Sequence, residues 1–130
     1  MLNIINRILY GKKGGFKTNI MVYVFDIDGT ICTKLCELDG ADYANAEPLH
    51  DRITKANQLF QDGHTVIYQT ARGMGRYENN PILAIQNFYE LTKKQLDGWG
   101  AKYHYLFLGK PAGDVYVDDK GVNDNDFFKR

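Results

Sequence analysis

The sequence predicts a three-layer α/β domain, with helices covering both faces of a central parallel sheet. Three observations carry that expectation. Runs of β-formers alternate with stretches of helical period, the order that builds successive β-α units. Each β-rich run ends in polar or charged residues, which places chemistry at one end of the sheet. The chain has 130 residues, with 44% hydrophobic and 25% charged, enough for one core and ordinary for a globular domain.

Residues 1–20 read as an extension, and residues 21–130 as the domain. In MLNIINRILYGKKGGF, Leu2, Ile4, Ile5, Ile8 and Leu9 form a helical stripe that Gly11 stops, followed by a basic linker. Asn3, Asn6 and Arg7 interrupt the run, which excludes a membrane span or a convincing signal peptide. Val22, Tyr23, Val24 and Phe25 predict the first strand, broken by Gly29. Residues 31–47 show no period and read as a loop or small hairpin, either lying over the site as a partial lid or resting on the surface. Pro48 suits the first turn of a helix that puts Leu49, Ile53, Ala56 and Phe60 on one face, and Gly63 ends it.

Residues 64–70, HTVIYQT, predict the second strand, and a glycine-broken loop follows. Asn80-Pro81 caps and opens a second helix, expected to turn Ile82, Ile85, Tyr89, Leu96 and Trp99 inward and to end near Gly98 or Gly100. Tyr103 to Leu108 predicts a third strand. Val115 to Val117 predicts a fourth, running into Asp118-Asp119. Phe127 and Phe128 in the short tail are expected to dock on the body.

Sixteen basic residues balance sixteen acidic ones, which argues against a general nucleic-acid or membrane-surface binder. The balance is uneven along the chain: Arg7, Lys12, Lys13 and Lys17 stand in residues 1–25 without an acid, so the remainder carries a net charge of −4. Cys32 and Cys36 lack the partners of a zinc site and read as reduced thiols of a cytoplasmic protein. His50, His64 and His104 have no metal-spaced partner. His64 and His104 fall at strand starts, away from the polar strand ends, and read as structural.

Asp26 and Asp28 bracket one isoleucine at the end of the first strand, and two such like charges call for a positive or phosphorylated partner. Thr70, Lys110 and Asp118 with Asp119 stand at the ends of the other predicted strands. Oxygen-only ligands select Mg²⁺, which takes few carboxylates, several waters and a phosphate; Asp26, Asp118 and Asp119 suit it. Lys110 adds a compact charge and Thr70 a short donor, so the set suits a phosphoryl group. One acid of the pair would attack phosphorus, and the other would protonate the leaving oxygen and later deprotonate water.

D-I-D-G-T at 26–30, the threonine of YQTARG, the lysine of LGKP and the VDD of YVDDK resemble, in order, the four motifs of the haloacid dehalogenase-like superfamily. The resemblance spans roughly Met21 to Lys120. It implies a Rossmann-like domain in which Asp26 is the nucleophile of an aspartyl-phosphate. Asp28 would be the general acid/base and give its carbonyl to Mg²⁺. Thr70 would bind the phosphoryl group, Lys110 would neutralise it together with Asp26, and Asp118 with Asp119 would hold the metal. Gly29, Thr30, Ala71 and Arg72 lie beside these motifs as substrate contacts, with a structural ion pair the alternative for Arg72.

The acid at position 28 resembles the phosphatase and phosphomutase branch, and both connections between motifs are too short for a cap domain. TARGMGR and the stretch QLDGWGAKYHYLFLGKPAGDVYVDDK are similar to small phosphatases of capsule and surface-polysaccharide biosynthesis. The expectation is a Mg²⁺-dependent phosphomonoesterase for a small sugar phosphate or related precursor. A neighbouring subunit of a homo-oligomer, or the 31–47 loop, would complete the substrate site. A nucleotide or polynucleotide-end phosphatase is the second reading, and a non-catalytic phosphate- or partner-binding module the third.

Overall fold

The computed structural model describes residues 19–34 and 41–129. The stripe from Leu2 to Leu9, the basic linker through Lys17, Cys36 and the middle of the 31–47 loop lie outside them. In chain order the elements are β1 (Val22–Asp26), a 3-10 turn (Ala41–Asn45), α1 (His50–Gln61), β2 (Thr65–Thr70), α2 (Pro81–Gly98), β3 (Tyr105–Leu108) and α3 (Asp124–Lys129). The fold is α/β: three parallel strands in the order β1-β2-β3, with helices between them.

That order decides where the helices go. Crossovers between parallel strands are right-handed, and both here step in the same direction, so α1 and α2 fall on one face of the sheet. The packing follows. Phe25, Val66, Tyr68, Leu106 and Leu108 alternate along the strands and meet Ile53 and Ala56 of α1 and Leu96 of α2 in one core. On the opposite face Val22, Val24, Tyr105 and Phe107 are between 50% and 61% exposed. The expected cover on both faces is therefore not met among the described residues.

The expected fourth strand is not formed either. Val115 to Val117 is irregular, with Val117 90% exposed. The segment bends on itself: the Tyr116 hydroxyl donates to the Pro111 carbonyl (2.5 Å) and accepts from the Gly113 N–H (3.0 Å). Such local side-chain bonds to the backbone compete with ladder pairing.

At the α2 start, Asn80 Oδ1 accepts from the backbone N–H groups of Ile82 (3.0 Å) and Leu83 (3.3 Å), the cap its sequence predicts. The inward face matches the expected one in part, with Leu96 buried and Tyr89 and Trp99 packed against the core. Ile82 and Ile85 are exposed, while Ala84, Thr92 and Leu96 are buried, with Phe88 packed on the core. A polar residue, Thr92, sits in the buried stripe because it has a buried partner, described below.

The tail folds as α3, and Phe127 meets Phe25 edge-on while Phe128 stacks on it, at 5.5 and 5.8 Å between ring centroids. Arg52 of α1 pins this helix, donating to Asp124 Oδ2 at 2.6 Å. His64 and His104 are structural as expected, since each Nδ1 accepts a backbone N–H, from Met21 and Val66 respectively, both at 3.1 Å. No helix among the described residues is long and apolar enough to cross a membrane.

Candidate active site

The site begins where β1 runs out. Ile27 is fully buried, and the residues on either side of it, Asp26 and Asp28, emerge from the core. A tight turn follows, in which the Thr30 and Ile31 N–H groups donate to the Ile27 carbonyl (3.0 and 2.9 Å) and the Gly29 N–H to the Cys32 carbonyl (2.9 Å). Gly29 has φ +81°, a left-handed conformation costly for other residues. Ile27, Ile31 and Cys32, all at 0% exposure, anchor the turn from below.

Asp26 is held from two sides. The Thr30 hydroxyl donates to Oδ2 at 3.2 Å, and Lys110 Nζ donates to Oδ1 at 3.4 Å. Lys110 reaches this point because β3 ends at Leu108 and Gly109 turns at φ +99°. Its N–H then donates to the Thr70 carbonyl at 3.2 Å, and its ammonium lies 4.5 Å from the centre of the Tyr116 ring. Thr70, the last residue of β2 and paired with Leu108, is buried. Its hydroxyl accepts the Arg72 N–H at 3.0 Å. Ala71 has its carbonyl taken by the Met74 N–H at 2.9 Å.

Asp28 has a cation of its own. Arg72, 1% exposed, donates from Nε to Oδ2 (2.9 Å) and from Nη2 to Oδ1 (3.0 Å), a bidentate fork. Its Nη1 donates to Thr92 Oγ1 (3.1 Å) and Gln95 Oε1 (2.5 Å), while Thr92 passes its own hydroxyl hydrogen to the Phe88 carbonyl. The expectation of Arg72 as a substrate contact is thus corrected. Both ends of the guanidinium are engaged inside the protein, and the ion-pair alternative matches the geometry. Cys32 Sγ lies 3.5 Å from Asp28 Oδ1, and burial, with the Asp28 charge behind it, pushes the thiol up to about 12.

The repulsion between the two acids is therefore met by two protein cations, one on each. The sequence anticipated Lys110 in that role and left Arg72 open. It gave no notice of Thr92 or Gln95; Tyr43, read with the 31–47 loop as either a partial lid over the site or surface, has a main-chain carbonyl that accepts from Gln95 Nε2 at 2.6 Å. The signal available for Thr92 was its position four residues from both Phe88 and Leu96, a polar residue inside an apolar stripe.

Asp118 and Asp119 are exposed. Asp118 Oδ1 accepts the N–H groups of Lys120 (2.8 Å) and Gly121 (2.6 Å), which hold its carboxyl below the usual range, the Gly121 bond first. Asp119 is 3.5 Å from Lys120 Nζ. The donor types of Asp26, Asp118 and Asp119 suit a hard cation. Among the described residues, however, no three His, Cys, Asp or Glu side chains are gathered to hold one. The Mg²⁺ set expected from the sequence is not assembled there.

No family model matches the chain, and no curated protein does. Among solved structures, the chain is similar to a crystal structure described as an MCSG target from Vibrio cholerae. The two are 26% identical with a TM-score of 0.76, over 85% of this chain and 89% of the other. The likeness extends over nearly the whole length of both chains and places this α/β architecture beside an experimental one.

Proposed function

We propose that the chain is a phosphomonoesterase of haloacid dehalogenase-like type, working through an aspartyl-phosphate on Asp26. The observation that carries the reading is the Lys110 ammonium 3.4 Å from Asp26, with a second acid two residues on that has a separate cation. A carboxylate beside a lysine at the open end of a parallel sheet is a nucleophile with a charge ready for phosphoryl oxygens.

In the first step an Asp26 oxygen attacks phosphorus and the bond to the leaving oxygen breaks. Lys110 and the Thr70 hydroxyl, at the adjoining strand ends, balance the charge on the phosphoryl oxygens. Asp28, ionised in its fork with Arg72, takes the proton carried by the phosphate monoanion and passes it to the leaving oxygen. A carboxylate offers about four lone-pair positions; Arg72 uses two and the Cys32 thiol approaches a third, leaving one for that proton. In the second step water attacks phosphorus, Asp28 takes its proton, and the bond to Asp26 breaks to regenerate the carboxylate.

The three-layer family fold and a Mg²⁺ requirement belong to the same proposal. The first needs a cover for the exposed sheet face from outside the described residues. The second rests on the donor chemistry of Asp26, Asp118 and Asp119, and no step above runs through the ion. The substrate class, a small sugar phosphate, rests on the sequence resemblance.

Phosphate release from p-nitrophenyl phosphate tests the reading. The wild type is expected to turn over, more slowly after chelation and with recovery on added Mg²⁺, and Asp26→Asn to be inactive while folded. Turnover by Asp26→Asn at the wild-type rate would overturn the assignment of the nucleophile.

A further inference from the structure

Tyr43 stands in the 3-10 turn after the gap in the described chain, 15 residues beyond Asp28 in sequence. It nonetheless touches the machinery around Asp28 at four points. Its ring lies under the Arg72 guanidinium, 4.9 Å from centroid to carbon. Its hydroxyl accepts the Gly73 N–H at 3.1 Å. Its main-chain carbonyl accepts from Gln95 Nε2 at 2.6 Å, and the other end of that amide accepts from Arg72. Its ring meets Phe88 edge-on at 5.0 Å.

We infer that Tyr43 is a positioning residue, which keeps water from one face of Arg72 and, through Gln95, fixes the guanidinium that aims Asp28. The inference rests on the phosphatase reading. A guanidinium forked onto a carboxylate sets the plane of that carboxylate, and the pair is stiff only while its surroundings are dry and its remaining donors are held. Thr92 and Gln95 hold the two Nη1 donors, and the Tyr43 ring covers the π face, where a cation gains most from an aromatic partner. Truncating the ring admits water beside Arg72 and releases the Asp28 plane without touching Asp26 or Lys110.

A misaligned acid shows itself by which substrates suffer. Leaving groups of high pKa need a proton in the transition state, whereas 2,4-dinitrophenolate leaves without one. Tyr43→Ala is therefore expected to lower kcat/KM, which reports the steps through departure of the leaving group, for an alkyl phosphate such as glycerol 1-phosphate by about tenfold or more, a fraction of the ~10²–10⁴ general acid catalysis supplies. On 2,4-dinitrophenyl phosphate the expected change in kcat/KM is less than about threefold. Tyr43→Phe keeps the ring on Arg72 and restores the alkyl-phosphate rate to within about threefold of wild type. Gln95→Met, which cuts the bridge while leaving the ring, is expected to reproduce the selectivity in milder form.

Equal losses on both substrates, or no loss, in Tyr43→Ala would overturn the inference. If that variant does not fold, a Gln95→Met enzyme without leaving-group selectivity overturns it instead. Failure of the underlying reading looks different: a wild type inactive on both substrates, or an active Asp26→Asn, removes the reaction and the positioning role together.

Discussion

The Arg72–Asp28 pair can be weighed by a double-mutant cycle. The Arg72 side chain is 0% exposed and that of Asp28 19%, so the pair sits inside the protein with one edge toward solvent. Removing one partner of a buried pair costs about 3–5 kcal/mol, because the other charge is left behind without compensation. The solvent edge of Asp28 favours the lower end, about 3 kcal/mol, for Arg72→Met. Asp28→Asn leaves the guanidinium one carbonyl acceptor in place of two charged oxygens, for about 2 kcal/mol. The double variant removes both charges, and its cost should fall short of the sum by about 2 kcal/mol. Trp99, the single tryptophan and packed against the core, reports unfolding in urea. With a slope of about 1.5 kcal/mol per molar, Arg72→Met should unfold about 2 M earlier than wild type. Additivity of the two single changes to within about 0.5 kcal/mol would refute a coupled pair.

Two further outcomes follow from the same region. Gly73 has φ +80°, and a Cβ there would stand 2.6 Å from Phe88 Cδ2 and 3.3 Å from the Ala84 Cα. Gly73→Ala should cost about 2–4 kcal/mol from left-handed strain and crowding together, read as a lowered urea midpoint, and an unchanged midpoint contradicts the packing. In a Cys36→Ser background, the Cys32 thiol, pushed up to about 12 by burial, stays protonated at pH 8 and should resist DTNB until the chain unfolds. Reaction of the folded protein at the rate of an open thiol would contradict that burial.

The sequence made β1, β2 and β3 legible because each is a short β-rich run bounded by a glycine or a polar cluster. Asp26 and Lys110 were legible together because each follows such a run, and parallel strands bring their ends to one side. The reading failed where polar side chains took over from the apolar pattern. The inward side of α2 keeps the expected Tyr89, Leu96 and Trp99 but adds Thr92 and Gln95, which serve Arg72, and no count of apolar residues reveals a buried guanidinium. Val115 to Val117 has the composition of a strand, yet Tyr116 binds its own backbone neighbours and turns the segment away from the ladder. The expected covering of both sheet faces assumed a strand order that reverses, and the observed order does not.

Because both crossovers step the same way, β1 finishes at the rim of the sheet rather than midway across it. The strand bearing Asp26 is laced to a neighbour along one border only, among the described residues. Its steadiness on the outer side is left to the knot of Ile27, Ile31 and Cys32 just beyond it. Volume changes in that small apolar knot, which takes no part in the reaction itself, will be felt first as a displaced carboxylate.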